Sequence, residues 1–197
     1  VDAYRREGGH KVEPFAVPGK WPRFVGVDPG GAHVAKVWLA WDTDEDVYYL
    51  YREQLDGDKS TREHVEAARQ LAQDLGERVV FYVVGQPAES QARRDWIDAG
   101  VSNVIAPPVS DVESGIDAVI SLLNQRRLFV FDTCAGTLDE LATYQRKLDE
   151  NGEATDVIEH KERYHRLDAL RYVAVGVVKQ PMARAGAAPA SLTRRRR

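Results

Sequence analysis

Hydrophobic and polar positions change their period several times along the chain. Between residues 23 and 57 the pattern is strand-like: "RFVGVDPGG" is an apolar run closed by an Asp-Pro-Gly turn, and "HVAKVWLAW" and "VYYLYREQL" flank the polar turn "DTDED". Three successive antiparallel strands are expected there. "STREHVEAARQLAQDL" switches to helical spacing, with Ser60 or Thr61 as the N-cap. "RVVFYVVG" is a continuous apolar run of strand length, and "AESQARRDWIDAG" is a helix that ends at Gly100. "NVIAP" is a short strand, and "SDVESGIDAVISLLNQRR" is an amphipathic helix with Ser110 and Glu113 as a capping pair. "LFVF" is a buried strand. "TLDELATYQRKL" is a helix with Leu138, Leu141, Tyr144 and Leu148 on one stripe, and "HRLDALRYVAVGVV" is an apolar helix that must pack on the sheet.

The resulting order, β-β-β-α-β-α-β-α-β-α-α, makes an α/β domain. Its mixed central sheet has about five or six strands, three antiparallel strands coming first, with helices on both faces. A ribonuclease H-like fold requires that order, although periodicity alone leaves other mixed α/β folds open. Residues 1–22, punctuated by Gly and Pro, read as a linker, residues 23–180 as the domain, and residues 181–197 as a flexible basic tail ending in "LTRRRR". The chain opens on Val1, as expected of a piece of a longer polypeptide.

Composition narrows the class. At 197 residues, 43% hydrophobic and 29% charged, the chain has enough material for one substantial core. No apolar run approaches the ~18 residues of a membrane span, and no secretory signal pattern opens the chain. Cys134 is the one cysteine, which excludes an intrachain disulfide and suits a reducing compartment. No Gly-x-x-x-x-Gly-Lys-Ser/Thr loop occurs, so ATP binding by that route is not expected. The net charge of -4 is unevenly spread: from His160 onward ten basic residues face two acids, while the first 159 residues carry seventeen basic and twenty-nine acidic groups. A basic C-terminal section on an acidic body points to a polyanion partner.

Three positions suggest chemistry. Asp28 ends the first strand of the triplet, Gln86 ends "FYVVGQ", and Asp168 lies in the last helix. In open α/β sheets the C-terminal strand edge is where ligands gather. A metal-dependent phosphodiesterase needs carboxylates converging there from distant elements to hold hard divalent ions. Asp-Pro-Gly is also a favoured turn in any protein. Asp168, on a largely apolar helix, needs a partner or a metal.

These stretches resemble the C-terminal nuclease domain of the large terminase subunit of tailed bacteriophages, a ribonuclease H/RuvC-like fold. The likeness is carried by "VGVDPG", "VVGQPAE", "GIDAVISLL" followed by "LFVF", "TLDELATYQ" and "HRLDALRYVAVG", over about residues 23 to 178. The resemblance implies a metal-dependent endonuclease that cuts concatemeric double-stranded DNA by two-metal hydrolysis, using Mg²⁺ or Mn²⁺. It also implies an upstream ATPase motor, a portal and a small terminase subunit as partners, no membrane, and action in the host cytoplasm during virus assembly. Asp28 and Asp168 match metal ligands. His165, three residues before Asp168 on the same helical face, is placed to orient water or touch the scissile phosphate. Lys161, Arg163 and Arg166 are the expected phosphate contacts, with Arg93, Arg94, Arg126 and Arg127 as weaker ones.

Gln86 departs from the family, which usually places its second acid at that position. A glutamine offers a carbonyl oxygen and no charge, so the second ion should bind weakly and cleavage should be impaired. Either a Glu-to-Gln substitution has disabled cleavage while keeping the shape, or another acid serves, Glu89 and Asp132 being the candidates. Two alternatives stay open: another RuvC-like nuclease, of resolvase or transposase type, or a catalytically silent module of DNA-packaging assembly.

Overall fold

The structure is a computed structural model that describes residues 9–30, 32–86, 88–109 and 111–179. Strands β1 (Lys11–Val12), β2 (Arg23–Asp28), β3 (His33–Asp42), β4 (Val47–Gly57), β5 (Val79–Val84), β6 (Val104–Ile105) and β7 (Leu128–Phe131) form one mixed sheet in the order β1-β7-β4-β3-β2-β5-β6. β2, β3 and β4 are antiparallel, as the alternation predicts, and β5, β6 and β7 join in parallel. The strand beyond the expected six is β1, which pairs with β7. The described part of the segment expected to be a linker therefore packs as the sheet's edge, with His10 buried, Trp21 stacked on Tyr49 and Phe15 edge to face with it. The basic tail at 181–197 lies outside the described residues.

Helices α1 (Thr61–Asp74), α2 (Ser90–Asp98), α3 (Val112–Asn124), α4 (Ala135–Thr143) and α5 (His165–Lys179) cover both faces. Period-two alternation divides the core between them. Phe24, Ala35, Val37, Phe81 and Val83 meet α3, α4 and α5, while Val25, Val27, Trp38, Tyr82 and Val84 meet α1 and α2. The expected start of α1 is a full capping box: Glu63 N donates to Ser60 Oγ, and Ser60 N donates to the Glu63 carboxylate. At α3 the capping side chain is Asp111, accepting from Ser114 N, instead of the expected Ser110, which lies outside the described residues.

The helix expected over "TLDELATYQRKL" is shorter. α4 stops at Thr143, Tyr144 turns to extended backbone, and Arg146–Leu148 (β8) pairs with Ala154–Ile158 (β9) in a separate hairpin. Tertiary contacts decide this. Tyr164 Oη donates to Thr143 O, and the Tyr144 and Tyr164 rings meet edge to face at 4.9 Å, which ends the helix and turns the chain. Leu148, expected on the apolar stripe, is exposed.

Candidate functional site

α5 is pressed onto the sheet at β2. A Cβ on Gly26 would lie 2.0 Å from Ala169 O, so only glycine allows the helix this close. The start of α5 is fixed by an acid from α4: Glu140 accepts from Leu167 N at 2.9 Å, a backbone donor that the helix N-terminus leaves open, and pairs with the Arg166 guanidinium at 3.0 Å. This anchoring carries His165 and Asp168 to the edge where β2 and β5 end. The two strands are hydrogen-bonded to their ends, since Gly85 N donates to Val27 O at 2.9 Å.

Asp28 sits there, 8% exposed, with its Oδ2 3.0 Å from His165 Nδ1. When Asp28 is ionised, His165 carries its proton on Nδ1 and donates it, which leaves Nε2 as the nitrogen available for other work. The Asp28 carboxyl is pushed up to about 6, chiefly by burial and further by the negative charges of Asp168 and Glu89, while the His165 hydrogen bond opposes the rise. Asp28, Asp168, Glu89 and His165 thus share one electrostatic neighbourhood, built from β2, α5 and the turn after β5. Asp168 is paired with Arg171, whose guanidinium Nε and Nη2 both donate to Oδ1. Gly115 on α3 leaves the space that Arg171 occupies.

Gln86 is exposed at the end of β5. Its backbone is clamped: N donates to the Glu89 carboxylate and O accepts from Arg93 Nη1 at 2.6 Å. Its side chain lines a small recess with Arg171, Tyr172, Asp111 and Val112. The buried Tyr172 hydroxyl beside it lacks a well-formed hydrogen bond, and burial together with Asp168 and Asp28 holds its pKa up. Glu89 folds back over Gly85 (φ +64°), where a Cβ would meet its Oε2 at 2.6 Å and Pro29 at 3.2 Å. Among the described residues, no group of three or more His, Cys, Asp or Glu side chains is arranged to hold a metal.

The remaining sequence candidates separate. Asp132, exposed after β7, is three strand spacings from β2, roughly 14 Å, too far to share an ion with Asp28. Lys161 and Arg163 lie exposed in a single 3₁₀ turn just before α5. Arg166 is not a free phosphate contact. It is held by Glu140 and, at 3.6 Å, by Glu53, and its guanidinium packs over Gly136. The weaker candidates are also engaged: Arg93 binds the β5 turn carbonyls, Arg94 binds Gln91, Arg126 lies over Phe129, and Arg127 pairs with Asp46. Sequence reasoning missed Arg171 and Glu140. Their partners are Asp168, three residues away, and the start of α5, and the spacing of Asp168 to Arg171 was the one available signal. Among the described residues no helix is long and apolar enough to cross a membrane.

No family model matches the chain. It is 30% identical over 172 residues to the terminase large subunits of Salmonella phage P22 and Enterobacteria phage LP7, a stretch covering 82% of this chain. That stretch is 33% and 34% of those proteins, so the chain spans about a third of the length of the curated relatives it matches. Its structure is similar to that of the P22 large terminase nuclease domain, at 27% identity and a TM-score of 0.63, covering 85% of this chain and 87% of that one. The large terminase of a thermophilic bacteriophage is similar in fold at a TM-score of 0.69 and 23% identity, over 86% of this chain and 43% of that one. The nuclease domain of the SPP1 large terminase with bound Mn is similar in fold at 0.61 and 18% identity, over 77% and 84%.

Proposed function

Because this chain is a homologue of the terminase large subunit and matches its nuclease domain, we propose that it is a metal-dependent DNA endonuclease domain of a viral genome-packaging terminase. Its substrate is concatemeric double-stranded DNA, and its further partners are an upstream ATPase motor, a portal and a small terminase subunit, in the host cytoplasm during assembly. The observation that carries the reading is buried Asp28 hydrogen-bonded to half-buried His165, with the Asp28 carboxyl raised to about 6, chiefly by burial and further by Asp168 and Glu89. Perturbed titratable groups at a strand edge mark functional sites.

The donor chemistry suits Mg²⁺ or Mn²⁺, although no three of these side chains are gathered as ligands among the described residues. Asp28, Asp168 and Glu89 offer only oxygens, and a cation would relieve the repulsion that raises the Asp28 carboxyl. Asp28 and Asp168 would hold the ions, with Gln86 or Glu89 as the third ligand. A bound ion supplies Lewis-acid polarisation of water and phosphate. The chain's own residues do the rest. Asp28 fixes the His165 ring through Nδ1, so that the unprotonated Nε2 is free to accept a proton from water and, once protonated, to donate to a phosphate oxygen. Arg171 holds Asp168 in place and keeps its charge from being wholly unbalanced. The exposed Lys161 and Arg163 attract the DNA backbone without reading bases.

The deciding experiment is plasmid nicking in Mg²⁺ and Mn²⁺, with Mn²⁺ the stronger supporter, alongside calorimetric Mn²⁺ binding. Asp28→Asn should abolish the first and weaken the second; if both survive, the site lies elsewhere. The catalytically silent assembly module stands as the second reading, favoured by Gln86 and by the engagement of Asp168 with Arg171. It predicts no metal-dependent nicking at all. A preference for four-way junctions over linear duplex would instead favour a resolvase.

A further inference from the structure

The chemistry proposed above leaves one imidazole at the sheet edge without a role. His33 is the first residue of β3, and strand alternation puts it on the side of Ala35 and Val37, the face that α5 covers. β3 begins where β2 ends, so His33 follows closely on Asp28 and is paired in register with Gly57 of β4. Its ring meets that of His165 edge to face, with centroids 6.2 Å apart and planes at 67°. His165 is the ring that Asp28 holds.

Two glycines shape this placement. A Cβ on Gly57 would come within 2.9 Å of His33 Nδ1, so the missing side chain makes room for the ring. A Cβ on Gly30 would lie 2.9 Å from His33 O, 3.6 Å from His165 Nδ1 and 3.7 Å from Asp28 Oδ2, so Gly30 lies close against all three groups. His33 is nevertheless exposed, and neither of its ring nitrogens hydrogen-bonds a described residue. Its ring is confined by the Gly57 backbone on the Nδ1 side and by the His165 ring, and among the described residues it has no hydrogen-bond partner beside the Asp28–His165 pair.

We propose that His33 is a substrate-binding residue of this site, donating a ring N–H to a non-bridging oxygen of a DNA backbone phosphate lying across the strand edge. The proposal rests on the phosphodiesterase reading above and adds a contact to it. The alternative role of such a ring is packing, in which it would only keep His165 upright. The two differ in what they move. A phosphate contact made before and during reaction changes affinity, whereas a packing role changes turnover.

The test compares His33→Ala and His33→Arg with the parent chain. His33→Ala should raise KM for linear duplex about 10-fold, the cost of one hydrogen bond to a charged group, with kcat within about 2-fold. Affinity for a short labelled duplex without divalent metal, read by fluorescence anisotropy, should fall by a similar factor. Calorimetric Mn²⁺ binding should stay unchanged. His33→Arg, which keeps a donor, should restore duplex affinity. A fall in kcat at constant KM, a loss of Mn²⁺ affinity, or unchanged duplex affinity in His33→Ala would each overturn the proposal. Asp28→Asn separates the two levels. If it leaves cleavage intact, the reading of this strand edge as the nuclease site fails; if it abolishes cleavage while His33→Ala leaves duplex affinity unchanged, only the His33 assignment fails.

Discussion

The two ends of strand β2 carry charged clusters of opposite design. At its start Arg23 is buried, with guanidinium hydrogen bonds to the carbonyls of Trp21 and Pro18, and Glu77 receives a two-pronged pair from Arg52 at 2.9 Å and 2.9 Å. Both guanidinium groups also lie over the Tyr51 ring. At its far end Asp28 faces two further carboxylates, with one imidazole for a direct partner and Arg171 spent on Asp168. The first cluster compensates its charges on the spot, as a buried structural network must. The second leaves negative charge unbalanced at an accessible edge. The same strand, in the same core, thus separates a cluster whose charges are compensated from one that keeps uncompensated negative charge.

The sharpest way to break this comparison is to remove charge at each end. Asp28→Asn should lower metal-dependent nicking by at least ~10³-fold, about 4 kcal/mol of transition-state stabilisation. It should also raise the metal-free melting temperature at pH 7, because a repelled buried charge is gone. Glu77→Ala should do the reverse, lowering stability by about 3 kcal/mol in urea melts, since the buried Arg23 and the half-buried Arg52 lose their counter-charge. Equal destabilisation by both variants would erase the distinction.

Adding charge sharpens it. Gln86→Glu, or the shorter Gln86→Asp, should raise Mg²⁺-dependent plasmid cleavage at least ~10²-fold, about 2.7 kcal/mol. Thermal stability should fall or stay flat without metal and rise with it, because the ion binds only the folded form. If neither acid raises cleavage and metal adds no stability, position 86 is not part of a metal site. The recess of Gln86 with Arg171 and Tyr172 would then be structural.

The smallest effect is the pH dependence. The folded protein keeps the Asp28 proton up to about 6, against 3.8 for an unperturbed group. Between those values the folded state binds more protons than the unfolded one, so stability falls as pH rises from about 4 to 6 and is flat above. The loss should be about 2 kcal/mol in metal-free urea melts, less than the full difference between the two values because the carboxylate keeps some water contact. Asp28→Asn should flatten the slope, and a slope unchanged in that variant would assign it to another group.

Much of this was legible in the chain. Apolar and β-rich runs marked β2 to β5 and β7, the Ser60–Glu63 pair started α1, and Asp28, His165 and Asp168 were singled out as groups that the fold brings together at one strand edge. These signals are local: they follow from hydrogen bonds and side-chain directions repeating within a few residues. Where the reading failed, the cause was a partner distant in sequence. The helix past Thr143 was cut short by Tyr164, and Arg166 was claimed by Glu53 and Glu140 instead of staying free for phosphate.

The sequence by itself thus determined the strands and helices, the two acids at the strand edge, and the glutamine where a third acid was expected. Only the tertiary structure decided which charges cancel. Arg171 engages Asp168, Glu89 rather than Asp132 reaches the neighbourhood of Asp28, and His33 comes to rest against His165 in the room left by Gly57. The physical reason is that a side chain's propensity is fixed by its neighbours along the chain, whereas its charge state and its availability depend on burial and on groups that meet only once the sheet is assembled.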